Sequence, residues 1–296
     1  MPASPLSKKF TLSDLRAARK NGRKVAMLTC YDFTTARLMQ ESGVPALLVG
    51  DSASNVVLGY PTTLPVSLGF MVEITAAVRR GAPHCLVVGD MPFGSYQGSL
   101  DRGVQNVCKM VKRSGCDAVK LEAARQHLRL IEELAAAGVA VIAHLGLRPQ
   151  SVGLLGAYRY QGRTAAEAKD IVSLAFDMQQ AGAAGVLLEA VPPEVSQAVV
   201  DATSVPIIGC GAGPACHGHV FVTQDAIGMT PHVPRFVPRL ADIGQQLSAE
   251  FARYVQQVED GTYPAAEHCY EMPADQREKF LQQDKPTGVN SYEPHE

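Results

Sequence analysis

Several short apolar runs in this chain end on, or one residue beside, a side chain that can ionise. ALLVGD closes on Asp51, CLVVGD on Asp90 and AVKLE on Glu122, while VAVIAHLG carries His144 and GVLLEA carries Glu189. A single carboxylate in such a place is often no more than a helix N-cap. Five ionisable groups repeating the pattern point to shared chemistry instead. If the runs are parallel strands closed into a barrel, their C-terminal ends meet on one rim, and residues remote in the chain become neighbours there.

The types of these residues narrow the chemistry. Asp51, Asp90 and Glu122, without any Cys-rich spacing, suit a hard divalent cation such as Mg²⁺, which takes oxygen ligands and binds through carboxylates, waters and substrate. Zinc is not indicated. Lys120 precedes Glu122 by two residues, so in a strand both point to one face; a buried ion pair is the alternative reading. His217-Gly-His219 has metal-ligand spacing, but a lone His-x-His in a loop reads as surface or hydrogen-bonding histidines. PIIGCGAGP (206–214) follows an apolar run and suits either an anion cradle or tight packing. No Ser-His-Asp set and no Cys-His signature has supporting context, so covalent catalysis is not favoured.

These residues need elements that bring them together. Eight short apolar runs recur along the chain: 25–30, 46–51, 85–90, 118–122, 139–146, 185–190, 205–211 and, less clearly, HVFVTQD at 219–225. Near-continuous apolar strands are what a parallel sheet covered on both faces requires. Helical patterns alternate with them, such as SLDRGVQNVCKMVKRSG, with Ser99 as N-cap and Gly115 as stop. ARQHLRLIEELAAAG and TAAEAKDIVSLAFDMQQAG follow the same plan. Eight alternations, with no Gly-rich phosphate turn after the first strand, predict a (β/α)8 TIM barrel rather than an open doubly wound sheet. The expected layout is one barrel domain over 1–270 with a helical N-terminal lead-in, followed by a flexible polar tail over 271–296. The long connection SASNVVLGYPTTLPVSL (52–68) is read as a non-helical functional loop.

Composition agrees with a globular enzyme. Hydrophobic residues make up 46% and charged ones 19%, enough for a large core, and a net charge of -2 without a Lys/Arg run argues against nucleic acid as a partner. Seven cysteines without a Cys-x-x-Cys pair read as reduced core thiols. With no signal-like N-terminus and no apolar stretch of roughly 18 residues, a cytoplasmic location without membrane contact is expected.

The blocks GDSASNVVLGY, TLPVS, VRRGAPHCLVVGDMPFGSY, VKLE, HLGLRPQSV, YRYQGR, LLEAVP and GCGAGP occur in this order between about Lys24 and His268. They closely resemble the ketopantoate hydroxymethyltransferase family. That resemblance implies a barrel of the phosphoenolpyruvate mutase type, Mg²⁺ dependence and a homodecamer. It also implies hydroxymethyl transfer from 5,10-methylenetetrahydrofolate to a small 2-oxo acid, 3-methyl-2-oxobutanoate, giving 2-dehydropantoate for pantothenate synthesis. Carried over by position, Asp51, Asp90 and Glu122 match the metal site. Ser52, Asp90 and Lys120 match the 2-oxo acid contacts, His144 a histidine of the substrate pocket, and Glu189 the general base. The chain departs from the family at Pro61, at Ala123 and Ala124 where Gly-Gly is usual, at Cys210, and at His217 and His219. These departures are expected to shape the substrate or folate entrance. They motivate a second reading, a paralogue with the same enolate chemistry on another 2-oxo acid. A third reading, a barrel that only binds or scaffolds, conflicts with the retention of so many ionisable residues.

Overall fold

Side chains alternate across a strand with period two, and in this protein both faces of nearly every strand are apolar until the last residue or two. A computed structural model describes residues 6–282 with the exception of 157, 158 and 232. In chain order the first elements are α1 (Leu12–Lys20), β1 (Val25–Thr29), α2 (Phe33–Glu41), β2 (Ala46–Val49), α3 (Ala53–Val56), α4 (Leu68–Gly81) and β3 (Leu86–Asp90). Then follow α5 (Leu100–Ser114), β4 (Ala118–Glu122), α6 (Leu128–Ala136), β5 (Val141–Gly146), α7 (Val152–Leu155) and α8 (Ala165–Gln180). The chain continues with β6 (Gly185–Glu189), α9 (Pro193–Ala202), β7 (Ile207–Cys210), β8 (Gly218–His219), α10 (Thr223–Ala226), α11 (Ile243–Glu259) and α12 (Ala274–Gln282). All eight strands pair in parallel in sequence order, and β8 returns to β1 through Val25↔Gly218 and Ala26↔His219, closing the barrel.

The alternation builds two cores. Ala46 and Leu48 of β2, Leu86 and Val88 of β3, Ala118 of β4 and Ile142 of β5 form a cluster inside the barrel. Leu47 and Val49, Val87, Val119 and Leu121 point outward into the larger core beneath the helices. Followed two residues further, the inner rows reach Asp90, Lys120 and Glu122, then His144, then Glu189. The same periodicity that fills the barrel with apolar groups therefore delivers polar ones to its rim. At the opposite end α1 closes the barrel, its Leu15 seated in the inner cluster. A capping box fixes where α1 starts: Thr11 Oγ1 accepts from Asp14 N–H at 3.3 Å, and Asp14 accepts from Thr11 N–H at 2.8 Å.

Several expectations are met and others corrected. The Ser99 cap is present, its Oγ accepting from Arg102 N–H at 3.4 Å, and α5 ends before Gly115. Strand β8 is two residues long rather than covering 219–225, because Thr223 leaves the ladder to bond with Thr29: Thr223 N–H donates to Thr29 Oγ1 at 2.9 Å and its hydroxyl to Thr29 O at 2.6 Å. The 52–68 connection contains the helical turn α3, so it is not wholly non-helical. Contacts divide the chain into units Met1–Ile243 and Gly244–Glu296, not near residue 270. The second unit contains most of α11 and all of α12, so the segment expected as a flexible tail begins with a helix; its part beyond residue 282 lies outside the described residues. No helix among the described residues is long and apolar enough to cross a membrane.

Candidate active site

Strand register sets the rim. Asp90 pairs with Lys120, Glu122 with His144, and Glu189 with both Gly146 and Cys210 on its two neighbours. A cavity of about 550 Å³ opens above the inner core, and Asp51, Ser52, Asp90, Lys120, His144 and Glu189 all line it. Lys120 Nζ donates to Asp90 Oδ2 at 2.5 Å, and Asp51 N–H donates to the same oxygen at 3.0 Å. Tyr31 and Ser52 share a hydroxyl hydrogen bond of 2.8 Å. His144 Nε2 lies 3.2 Å from Glu189 Oε2, and neither of its ring nitrogens is aligned for a hydrogen bond.

Behind this cavity lies a second layer. Gln150 N–H donates to Glu122 Oε1 at 2.9 Å, and Gln150 Nε2 donates to Asp51 Oδ2 at 2.8 Å and to Met91 O at 3.0 Å. Its Oε1 accepts from the Tyr96 hydroxyl and from Gln97 Nε2, each at 2.9 Å. Glu122 N–H donates to the Tyr96 hydroxyl oxygen at 3.0 Å. Two buried carboxylate oxygens, Asp90 Oδ1 and Glu122 Oε2, have no hydrogen-bond partner.

Burial sets the electrostatics. Desolvation pushes the Asp90 carboxyl up from the ordinary range, with Lys120 pulling it back. Glu122 is pushed up to about 8 for the same reason, again opposed by Lys120. Burial works against the charge on Lys120, yet Asp90, Asp51 and Glu122 outweigh it and hold the ammonium above its usual pKa. His144 is held below its ordinary value by burial and by Lys120, so its imidazole is neutral near pH 7.

The sequence model of the ketopantoate hydroxymethyltransferase family matches residues 9–266. The chain belongs to that family. It is 42% identical over 264 residues to the 3-methyl-2-oxobutanoate hydroxymethyltransferase of Thermobifida fusca, covering 89% of this chain and 94% of the relative. Against the enzyme of the same name from Mycolicibacterium paratuberculosis it is 45% identical over 257 residues, covering 86% and 90%. In fold it is similar to phosphonopyruvate hydrolase, with a TM-score of 0.59 at 14% identity over 92% of this chain and 96% of the other. It is also similar to 2,3-dimethylmalate lyase, a PEP mutase/isocitrate lyase superfamily member, with a TM-score of 0.55 at 18% identity over 92% and 98%. The chain is thus a hydroxymethyltransferase on a closed eight-stranded (β/α)8 barrel.

The family's site residues, as carried over by position, do not all stand alike. Six gather at the cavity, but Glu122 does not line it and sits one layer behind, against Gln150. Among the described residues no three His, Cys, Asp or Glu side chains converge closely enough to cage a metal on their own. Of the departures from the family pattern, Pro61 lines the cavity. His217 does not: it sits at the opposite, N-terminal end of the strands, its Nδ1 accepting Ile207 N–H at 3.0 Å, so its expected place at the entrance is corrected. His219 lines a neighbouring cavity that shares Tyr160, Phe221, Arg235 and Phe236 with the first. Ala123 and Ala124 line another cavity, beside α8. Neither has a left-handed backbone, so alanine brings no backbone strain there in place of glycine. In the 206–214 loop, a Cβ on Gly211 would lie 2.6 Å from the Phe236 ring, which favours packing over an anion cradle. Tyr158 of the YRYQGR block lies outside the described residues.

Sequence reasoning missed Gln150, Tyr96, Arg235 and Phe236. Gln150 and Tyr96 stand in two of the longest family-like blocks, HLGLRPQSV and GDMPFGSY, which was the available signal. Being neutral, they did not stand out as strand-end ionisable groups.

Proposed function

We propose that this enzyme transfers a hydroxymethyl group from 5,10-methylenetetrahydrofolate to 3-methyl-2-oxobutanoate, giving 2-dehydropantoate for pantothenate biosynthesis, with Mg²⁺ as cofactor. The observation that carries the reading is the single cavity in which Glu189, with 19% of its side chain accessible, shares space with Asp51, Asp90 and Lys120. Mg²⁺ fits these residues. Three buried carboxylates stand against one buried ammonium, two of the carboxylate oxygens lack any donor, and the set is all oxygen. Asp51 and Asp90 would hold the ion, with Glu122 behind them. When bound, it supplies Lewis-acid charge at the keto oxygen.

The chain's own groups then do the rest. Ser52 and His144 contact the 2-oxo acid, and Lys120, buried and cationic, stabilises the negative charge that develops on the keto oxygen. Glu189 takes the C3 proton on a carboxylate oxygen, and the electron pair of the C3–H bond becomes the C2=C3 bond of the enolate. A neutral imidazole at 3.2 Å does not tie up Glu189 as a salt bridge would. Water breaks both C–N bonds to the methylene carbon of the folate, giving tetrahydrofolate and a formaldehyde unit. C3 bonds to that carbon, the C=O π pair moves to its oxygen, and this oxygen takes a proton to become the product hydroxyl. The reaction is placed in the cytoplasm and in a homo-oligomer, the homodecamer that the family resemblance implies.

The test is deuterium exchange at C3 of 3-methyl-2-oxobutanoate in D₂O with Mg²⁺ and no folate. Wild type should exchange; Glu189→Gln should lose about 100-fold or more of the rate while keeping its Mg²⁺ affinity. Exchange that survives the substitution overturns the assignment of the base. Exchange in wild type without transfer when folate is added would instead mark an enzyme for another 2-oxo acid.

A further inference from the structure

Among the described residues, Gln150 is the one whose neutral side chain bonds to a carboxylate at the cavity and whose backbone bonds to the carboxylate behind. Every hydrogen-bonding valence of its carboxamide is used: Nε2 donates to Asp51 and to Met91 O, and Oε1 accepts from Tyr96 and Gln97. Its orientation is not a free choice. A backbone carbonyl only accepts, so the nitrogen must face Met91 O, and the second amide proton must then go to Asp51 Oδ2. The residue's main chain, meanwhile, takes one oxygen of Glu122 and leaves Oε2 without a donor.

From this geometry we infer that Gln150 is a positioning residue for the metal site, which rests on the Mg²⁺ reading above. It anchors one oxygen each of Asp51 and Glu122 with donors that carry no charge, and so orients both carboxylates without neutralising them. A lysine or arginine in its place would supply donors too, but would cancel the negative charge that a divalent cation needs. A hydrophobic residue would leave Asp51 Oδ2 short of a donor and Asp51 free to turn. Tyr96 completes the arrangement, because its hydroxyl reaches both Gln150 Oε1 and Glu122 N–H and so fixes the amide from behind. Outer partners of this kind typically change metal affinity by about 10–100-fold when removed.

The experiment titrates the full-length protein with Mn²⁺ as an EPR-visible probe, in wild type, Gln150→Ala and Tyr96→Phe. Thermal melting is recorded without metal in parallel. Gln150→Ala should bind Mn²⁺ about 10–100-fold more weakly, with its metal-free melting temperature lowered because Tyr96, Gln97 and Met91 O lose a buried partner. Tyr96→Phe, which keeps the ring and removes only the hydroxyl, should weaken binding in the same direction by less, and it carries the test if the alanine variant fails to fold. Mn²⁺ affinity within twofold of wild type in folded variants overturns the inference while leaving the Mg²⁺ reading intact. A wild type that takes up no Mn²⁺ overturns the metal reading itself, and this inference with it.

Discussion

Ala190, the residue after Glu189, has φ of 46° and is the one described non-glycine residue with a left-handed backbone. It is held there from both sides, its N–H donating to Cys210 O at 2.8 Å and its carbonyl accepting Gln161 N–H at 2.9 Å. An L-residue in that region costs on the order of 1–2 kcal/mol, so the turn that aims Glu189 at the cavity is paid for in strain. Replacing Ala190 with glycine should relieve it, partly offset by the roughly 0.5–1 kcal/mol that glycine loses in conformational freedom on folding. The expected outcome is a urea midpoint equal to or slightly above wild type, with C3 exchange slowed several-fold because Glu189 is less firmly aimed. A loss of more than about 1 kcal/mol would mean that no strain was stored there. At this scale the sequence was legible where a group ionises: Asp51, Asp90, Lys120, His144 and Glu189 line one cavity, as their type and place suggested, whereas Glu122, chosen on the same grounds, sits one layer behind. Gln150 was not legible, since a neutral amide in a loop looks like any other, and nothing in the letters of Ala190 marks a left-handed backbone.

Among the elements, the period-two rows of β2 to β6 were readable because apolar residues on both faces leave few other structures open. Boundaries were harder where a side chain competes with the ladder, as Thr223 does with Thr29 at the end of β8. The glycine closing β5 is another silent feature: a Cβ on Gly146 would sit 2.3 Å from Glu189 O, so β5 and β6 approach closely only because no side chain is there. At the other end of the strands, His217 Nδ1 accepts Ile207 N–H, and burial with nearby Arg19 and Lys24 holds its pKa down to about 4 from an ordinary 6.5. Between those values the unfolded chain binds a proton that the folded one refuses, so stability falls as pH drops through this window. His217→Asn, which cannot be protonated there, should flatten the fall of the urea midpoint between about pH 6.5 and 4. An unchanged slope would mean that His217 is no acid-sensitive contact.

Across the whole molecule, the boundary at Ile243 was not legible, because a 17-residue amphipathic helix reads the same whether it packs on its own barrel or elsewhere. In α11, Leu247, Phe251, Tyr254, Val255 and Val258 are all exposed and fall on one face. The proposed homo-oligomer would cover that face. Light scattering coupled to gel filtration should find an assembly in wild type and smaller species for Phe251→Asp combined with Val255→Asp. A wild type that runs as a monomer at micromolar concentration would count against the assembly. The alternation of the strands carries one last consequence. In β4, Lys120 and Glu122 take turns with Val119 and Leu121, so working and load-carrying residues are interleaved like the teeth of two combs. Slipping such a strand by a single position would exchange the combs, sending the ammonium under the helices and a leucine into the mouth. Within the strands, therefore, a one-residue insertion or deletion abolishes core and chemistry in the same step.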